Sequence, residues 1–151
     1  MLFRSVAVFL SFDGELDTQP LIEQFWRAGK RVYLPVLHPF SAGNLLFLNY
    51  HPQSELVMNR LKIHEPKLDV RDVLPLSRLD VLITPLVAFD EYGQRLGMGG
   101  GFYDRTLQNW QHYKMQPVGY AHDCQLVEKL PVEEWDIPLP AVVTPSKVWE
   151  W

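Results

Sequence analysis

The sequence is short of several things that whole classes of protein need. Cys124 is its only cysteine. That excludes an internal disulfide framework and a zinc site built on paired thiolates, and it suits a reducing compartment. A lone thiol of this kind reads as a small semi-buried hydrophobe. Basic runs are missing too: 14 Lys and Arg stand against 18 Asp and Glu, for a net charge of −4. Duplex binding needs clustered cations, so no nucleic-acid partner is expected. No apolar run approaches the roughly 20 residues that cross a bilayer, so no membrane partner is expected either. The opening stretch Met1 to Leu10 has no small-residue cleavage site and passes directly into Ser11-Phe-Asp-Gly-Glu. It reads as a first strand rather than a secretory signal, and the expected location is cytoplasmic.

What is present suits one compact α/β domain. The chain has 151 residues, 47% of them hydrophobic, enough for a core without staples. Val6-Ala-Val-Phe-Leu reads as a strand covered on both faces. Asp17 or Thr18 can cap a helix that carries Leu21, Ile22, Phe25 and Trp26 on one stripe and ends at Gly29. Arg31 to Leu37 then forms a second strand, parallel to the first. Leu45 to Tyr50, Asp80 to Thr84, Pro117 to Ala121 and Ala141 to Thr144 are further strand candidates. Residues 51–77, broken by Pro52, Pro66 and Pro75, read as loop with short helical pieces. A helix is expected over Tyr103 to Tyr113, with Tyr103, Leu107 and Trp110 aligned. The result is a Rossmann-like three-layer sandwich around a mainly parallel sheet, in a single domain. Trp149 and Trp151 either dock the tail on the body or leave it mobile.

The chemistry concentrates in Gly97-Met-Gly-Gly-Gly101, preceded by Arg95. Four glycines in five positions let the backbone reach positive φ and let a ligand approach closely. Such a loop, running into a helix, can gather N–H groups around phosphate oxygens, and Arg95 can add a forked charged donor. Asp104, in the first helical turn, suits either helix stabilisation or Mg²⁺ ligation. The segment lacks the Lys-Ser/Thr ending of a P-loop and the spacing of a dinucleotide loop. His38, His51, His64, His112 and His122 are scattered at no metal-like spacing, and none is assigned a catalytic role.

The run Phe89-Asp-Glu-Tyr-Gly-Gln-Arg-Leu-Gly-Met-Gly-Gly-Gly-Phe-Tyr-Asp-Arg105 resembles the signature of the 5-formyltetrahydrofolate cyclo-ligases. Phe9 to Glu15, Lys30 to Pro35, Ile63 to Pro66 and Asp80 to Pro85 resemble further family elements in the same order. The resemblance runs from about Val6 to Thr144. It implies an ATP- and Mg²⁺-dependent conversion of 5-formyltetrahydrofolate to 5,10-methenyltetrahydrofolate through a phosphorylated formyl group. A monomer is expected.

By the same resemblance, Arg95 and Tyr103 are catalytic. Arg95, Leu96, Gly97, Met98, Gly99, Gly100, Gly101, Phe102 and Tyr103 line ATP, and Asp104 holds the metal. Leu10, Glu15, Met98, Gly99, Gly100, Gly101 and Phe102 face the folate. The Glu15 carboxylate can accept two hydrogen bonds from a pterin's amino-pyrimidine edge. Phe102 and Tyr103 either stack on the pterin or pack the helix.

Three departures from the family pattern stand out. Only Arg4 precedes Val6 where the family has a basic helical segment, so the expectation is a domain over residues 1–151 without that segment. Pro140 stands where many relatives carry a second acid; nearby Asp136 reads as a turn acid. Gly100 replaces a basic residue found in some relatives. Two other readings are a folate- or nucleotide-binding module of the same fold with reduced or no turnover, and a different ATP- or sugar-phosphate-using α/β enzyme.

Overall fold

A computed structural model describes residues 3–11, 16–38, 40, 44–59, 63–97, 101–108, 110–132 and 136–151. The elements in chain order are β1 (Ser5–Ala7), α1 (Gln19–Arg27), β2 (Arg31–Leu37), β3 (Leu45–Tyr50), β4 (Leu56–Met58), β5 (His64–Pro66) and β6 (Val73–Leu74). These are followed by β7 (Val81–Thr84), β8 (Ala88–Phe89), β9 (Arg95–Leu96), α2 (Phe102–Leu107), β10 (Gln116–Tyr120), β11 (Ala141–Val143) and β12 (Val148–Glu150). Among the described residues, eight strands form the main sheet in the order β12-β11-β10-β7-β1-β2-β3-β6. Its centre, from β11 to β2, is parallel, while β12, β3 and β6 pair antiparallel at the edges.

Alternation along the central strands explains the three layers. Val6, Val8, Val32, Leu34, Val81 and Ile83 point into one buried cluster, on which Leu21, Phe25 and Trp26 of α1 pack around buried Ile22. Ala7, Tyr33 and Leu82, the intervening residues, point into a second cluster that takes Leu107 and Tyr103 of α2. Successive strand residues face opposite sides, so a sheet covered on both faces needs the unbroken apolar runs seen here. β3 turns back on β2 because only seven residues separate them, and a parallel return needs a crossover of about a dozen or more.

Gly29, at φ 76°, follows α1 as expected. The Asp17 carboxylate accepts from the Gln19 N–H at 3.0 Å, whereas the Thr18 hydroxyl donates to the Phe9 carbonyl at 2.6 Å. The cap therefore comes from Asp17, and Thr18 ties the helix to the end of β1.

Two expectations are corrected. The stretch 51–77 contains strands: β4 and β5 form a hairpin, and β6 joins the main sheet. Pro66 is tolerated because it lies at the end of a two-stranded ribbon with no third strand needing its missing N–H. The helix expected over Tyr103 to Tyr113 ends at Leu107, and a short 3₁₀ turn covers Trp110–His112. Gln108 is already extended, at φ −55° and ψ 126°, and the Thr106 hydroxyl bonds back to the Phe102 carbonyl at 2.8 Å. That back-bonding competes with regular helix continuation. Tyr103, Leu107 and Trp110 still meet the same cluster.

The tail docks on the body. The Trp149 ring lies 5.9 Å from Phe89 and stacks on Trp151, whose indole N–H donates to the Glu91 carbonyl. No helix among the described residues is long and apolar enough to cross a membrane.

Candidate functional site

Strand order fixes where a ligand can sit. β2 lies on one side of β1, and β7, reached only after β3 to β6, lies on the other. The crevice outside the carboxyl ends of strands that diverge in this way is where open α/β sheets bind ligands. The segments leaving that edge are Val8 to Leu10 after β1 and Pro85 after β7.

Arg95 is anchored at this edge. Its strand β9 pairs with β8, placing Phe89 opposite Arg95 and Ala88 opposite Leu96. β8 is itself held from behind. The Val127 N–H donates to the Phe89 carbonyl at 2.8 Å, and the Gln125 amide donates to the carbonyls of Leu86 and Val87. The hairpin turn is organised by Asp90, a fully buried carboxylate. Its oxygens accept from the N–H groups of Tyr92 at 2.9 Å, Gln94 at 3.0 Å and Leu130 at 2.9 Å. Gly93, at φ 83°, closes the turn, and the Leu139 carbonyl would lie 2.7 Å from any Cβ there.

From this platform the Arg95 guanidinium reaches three groups. Its Nε donates to the Pro85 carbonyl at 3.0 Å, and one Nη donates to Asp104 Oδ1 at 3.1 Å. Its carbon lies 5.7 Å from the Tyr103 ring centroid, within cation–π range. The arginine side chain is 5% exposed and that of Asp104 19%. Burial pulls the guanidinium's pKa down, while the charges of Asp104, Tyr103 and Asp136 pull it up. Arginine starts high enough to stay charged regardless. The result is a fixed cation beside a carboxylate at the start of α2, preceded by Gly101 in the left-handed region at φ 71°.

The structure brings Arg95, Gly97, Gly101, Phe102, Tyr103 and Asp104 together. Leu96, in β9, is exposed. Leu10 packs against the α1-side cluster at the end of the segment leaving β1. Met98, Gly99, Gly100 and Glu15 lie outside the described residues. Tyr103 packs on the core and faces Arg95, while Phe102 lies 5.4 Å beneath the Arg105 guanidinium. α2 has only six residues, so its contribution to anion binding is its first-turn N–H groups more than a long aligned dipole.

Asp136, read from the sequence as a turn acid, is half-buried and close enough for Arg95 to feel its charge. Nothing in the sequence spacing joins positions 95 and 136. Asp90 carried a signal in Asp-Glu-Tyr-Gly, where an aspartate opening a turn bonds the backbone ahead of it. Its further bond to Leu130, forty residues on, carried none. Tyr120 was also missed: it ends β10, its ring lies 6.4 Å from Phe9, and its hydroxyl donates to the Asp17 carbonyl at 3.2 Å. Burial is the main cause raising its pKa.

Among the described residues, no cluster of three His, Cys, Asp or Glu side chains could hold a metal. A single carboxylate such as Asp104 nevertheless suits Mg²⁺, which keeps several waters and is commonly held by one or two carboxylates plus substrate phosphates.

The profile of the 5-formyltetrahydrofolate cyclo-ligase family matches residues 3–145. The chain is 95% identical over 151 residues to 5-formyltetrahydrofolate cyclo-ligase of Escherichia coli (strain K12), covering all of this chain and 83% of that protein. It is 59% identical over 136 residues to the Haemophilus influenzae protein of the same name, covering 90% of this chain and 73% of the other. In fold it is similar to the NMR structure of Aquifex aeolicus 5,10-methenyltetrahydrofolate synthetase, with a TM-score of 0.79 at 31% identity, covering 97% of this chain and 71% of that one.

Proposed function

The chain belongs to the 5-formyltetrahydrofolate cyclo-ligase family, and we propose that its Arg95–Asp104 site carries out that family's ATP-dependent ring closure. The reaction converts 5-formyltetrahydrofolate to 5,10-methenyltetrahydrofolate. The formyl oxygen attacks the γ-phosphorus of ATP, and ADP leaves. The formyl carbon, now attached to a phosphate leaving group, is attacked by N10. The C–O bond breaks with its electron pair going to phosphate, and N10 loses its proton, leaving the cationic methenyl bridge.

Little covalent help from the protein is needed. Positioning and charge neutralisation carry phosphoryl transfer. Arg95, locked by Pro85 and Asp104, offers a cation that does not have to reorganise as charge develops on the γ-phosphate. Tyr103 holds the guanidinium from its ring face. Gly97 and Gly101, with no Cβ, let the guanidinium groups of Arg95 and Arg105 close on the backbone where phosphate oxygens would be received. Asp104 would hold Mg²⁺ through a carboxylate oxygen, and the bound metal would supply further neutralisation of phosphate charge. Leu10 and Glu15 would face the folate at the carboxyl edge.

The observation that carries this reading is the buried Arg95–Asp104 pair at the glycine-led start of α2. It is tested by following oxygen. With ¹⁸O in the formyl group, each inorganic phosphate released should carry one labelled oxygen. Unlabelled phosphate beside labelled water or folate would rule out attack by the formyl oxygen.

A further inference from the structure

Two neighbouring parallel strands leave the sheet side by side, and one side chain ties their exits together. β10 lies against β7 with Gly119 opposite Thr84, so the residues after Tyr120 leave the same edge as those after Thr84. A 3₁₀ turn over Asp123–Gln125 follows β10, and the Ser146 hydroxyl pins it by donating to Asp123 Oδ1 at 2.7 Å. Gln125 ends that turn, half-buried. Its Oε1 accepts from the His122 N–H at 2.7 Å, and its Nε2 donates to the Leu86 carbonyl at 2.8 Å and the Val87 carbonyl at 3.1 Å. A backbone donor on one side and two backbone acceptors on the other fix which way the amide faces. Neither glutamate at neutral pH nor methionine offers the donor, so the position calls for the amide.

The successive carbonyls of Pro85, Leu86 and Val87 thus accept from two side chains, the first from Arg95 Nε at 3.0 Å and the next two from Gln125. The Val87 N–H adds a bond to the Leu96 carbonyl at 2.7 Å, next to Arg95 in β9. Segment 85–87 is therefore the support on which the guanidinium rests, and Gln125 holds that support to the end of β10. We infer that Gln125 is a positioning residue for ring closure, acting through Pro85 to Val87 to set where Arg95 presents its charge. The inference rests on the reading of Arg95 as the cation that meets the γ-phosphate. Without the Gln125 amide, the Leu86 and Val87 carbonyls lose their donor and the segment can shift. Pro85 would then no longer hold Arg95 Nε in place, and the guanidinium could turn about its bond to Asp104. A misplacement of about 1 Å can cost roughly 10²-fold in rate, so a small shift is enough.

The test measures initial rates with 5-formyltetrahydrofolate, ATP and Mg²⁺, well below each variant's unfolding midpoint. Gln125→Met keeps the side chain's length without its amide. Gln125→Glu keeps the acceptor for His122 and replaces the donor by a carboxylate oxygen. Each should lower kcat about tenfold and leave the KM of the folate within about twofold, as expected when a charge-stabilising group is shifted rather than lost. A double-mutant cycle then separates positioning from a smaller folded fraction, which would scale every background rate equally. In an Arg95→Ala background, either Gln125 substitution should change kcat by less than about twofold. An unchanged kcat in both single variants, or the same loss repeated without Arg95, would overturn the inference. A lowered kcat in Arg95→Ala beside an independent Gln125 effect would leave the catalytic reading standing and remove this one alone. An undiminished kcat in Arg95→Ala would remove both.

Discussion

Asp104 Oδ1 accepts a hydrogen bond from the Arg95 guanidinium at 3.1 Å, across two side chains that are 19% and 5% exposed. Each holds the other for a different purpose. Arg95 is a charge that needs a partner because it is buried, and Asp104 is a carboxylate kept oriented at the start of a short helix. Removing either member should therefore have separable consequences for stability and for chemistry.

Asp104→Ala leaves the guanidinium without its carboxylate and should cost about 3 kcal/mol, typical of breaking a buried pair. Asp104→Asn keeps an acceptor oxygen and should cost less, about 1 kcal/mol. Both should raise the Mg²⁺ concentration needed for half-maximal turnover. Urea unfolding and a magnesium titration of each variant check the pair of expectations. Equal stability losses in the two variants would mean that the carboxylate's charge, rather than an acceptor oxygen at that position, is what Arg95 requires.

Asp90 should prove as important to folding as the glycine loop is to chemistry. Its carboxylate is fully buried and accepts three backbone N–H bonds, from Tyr92, Gln94 and Leu130. Asp90→Ala orphans those donors and should destabilise the protein by about 3 kcal/mol or more. The hairpin bearing Arg95 would lose its anchor, so kcat should fall even at temperatures where the variant is folded. Thermal unfolding and initial rates well below the midpoint separate the two effects.

Acid should weaken the start of the sheet through Asp80. One of its oxygens accepts from the backbone N–H groups of Arg4 and Ser5, and the other from Lys114 at 2.9 Å. The Lys114 bond is the main cause holding its pKa at about 2, below the usual 3.8. A depressed carboxylate pKa gives stability that is present above the unfolded value and lost as pH falls through the folded one. The contribution should therefore be intact above about pH 4 and vanish toward pH 2, and with solvent screening it is about 1 kcal/mol. Urea midpoints of wild type and Asp80→Asn should differ at pH 7 and converge toward pH 2. A difference independent of pH would contradict it.

Gly93→Ala tests the join between the hairpin and the tail. At φ 83° the alanine is strained, and its Cβ would fall 2.7 Å from the Leu139 carbonyl and near the Trp151 ring. A loss of about 1–3 kcal/mol is expected. Tryptophan fluorescence should change with it, because Trp151 is the displaced neighbour.

The layered fold was legible because Val6 to Val8, Val32 to Leu34 and Val81 to Ile83 are unbroken apolar runs, and only a sheet covered on both faces needs them. The Arg95 to Asp104 site was legible because glycine, arginine and aspartate sit close together in sequence. Where the decisive contacts are distant in sequence, the residues fell silent. The Leu130 N–H reaches Asp90, Gln125 reaches the carbonyls before β8, and Asp136 approaches Arg95, all without any local pattern. The short end of α2 was hidden too, since Tyr103, Leu107 and Trp110 keep helical spacing across a break that begins at Gln108. In residues 51–77 the short helical pieces are present as expected, at Val70–Asp72 and Leu76–Arg78, but the strands went unread: two or three residues leave too little alternation to read through flanking prolines.

The central claim is that the Arg95-centred site closes the folate ring at the expense of ATP, and one assay addresses it directly. The protein is mixed with 5-formyltetrahydrofolate and Mg²⁺, with and without ATP, and the absorbance of the methenyl product is followed beside Arg95→Ala. Product should form only with ATP, and the variant should lose about 10²–10³-fold in kcat, as expected when one preorganised charge-stabilising donor is removed. Product formation at an undiminished rate in a folded Arg95→Ala protein would contradict the account.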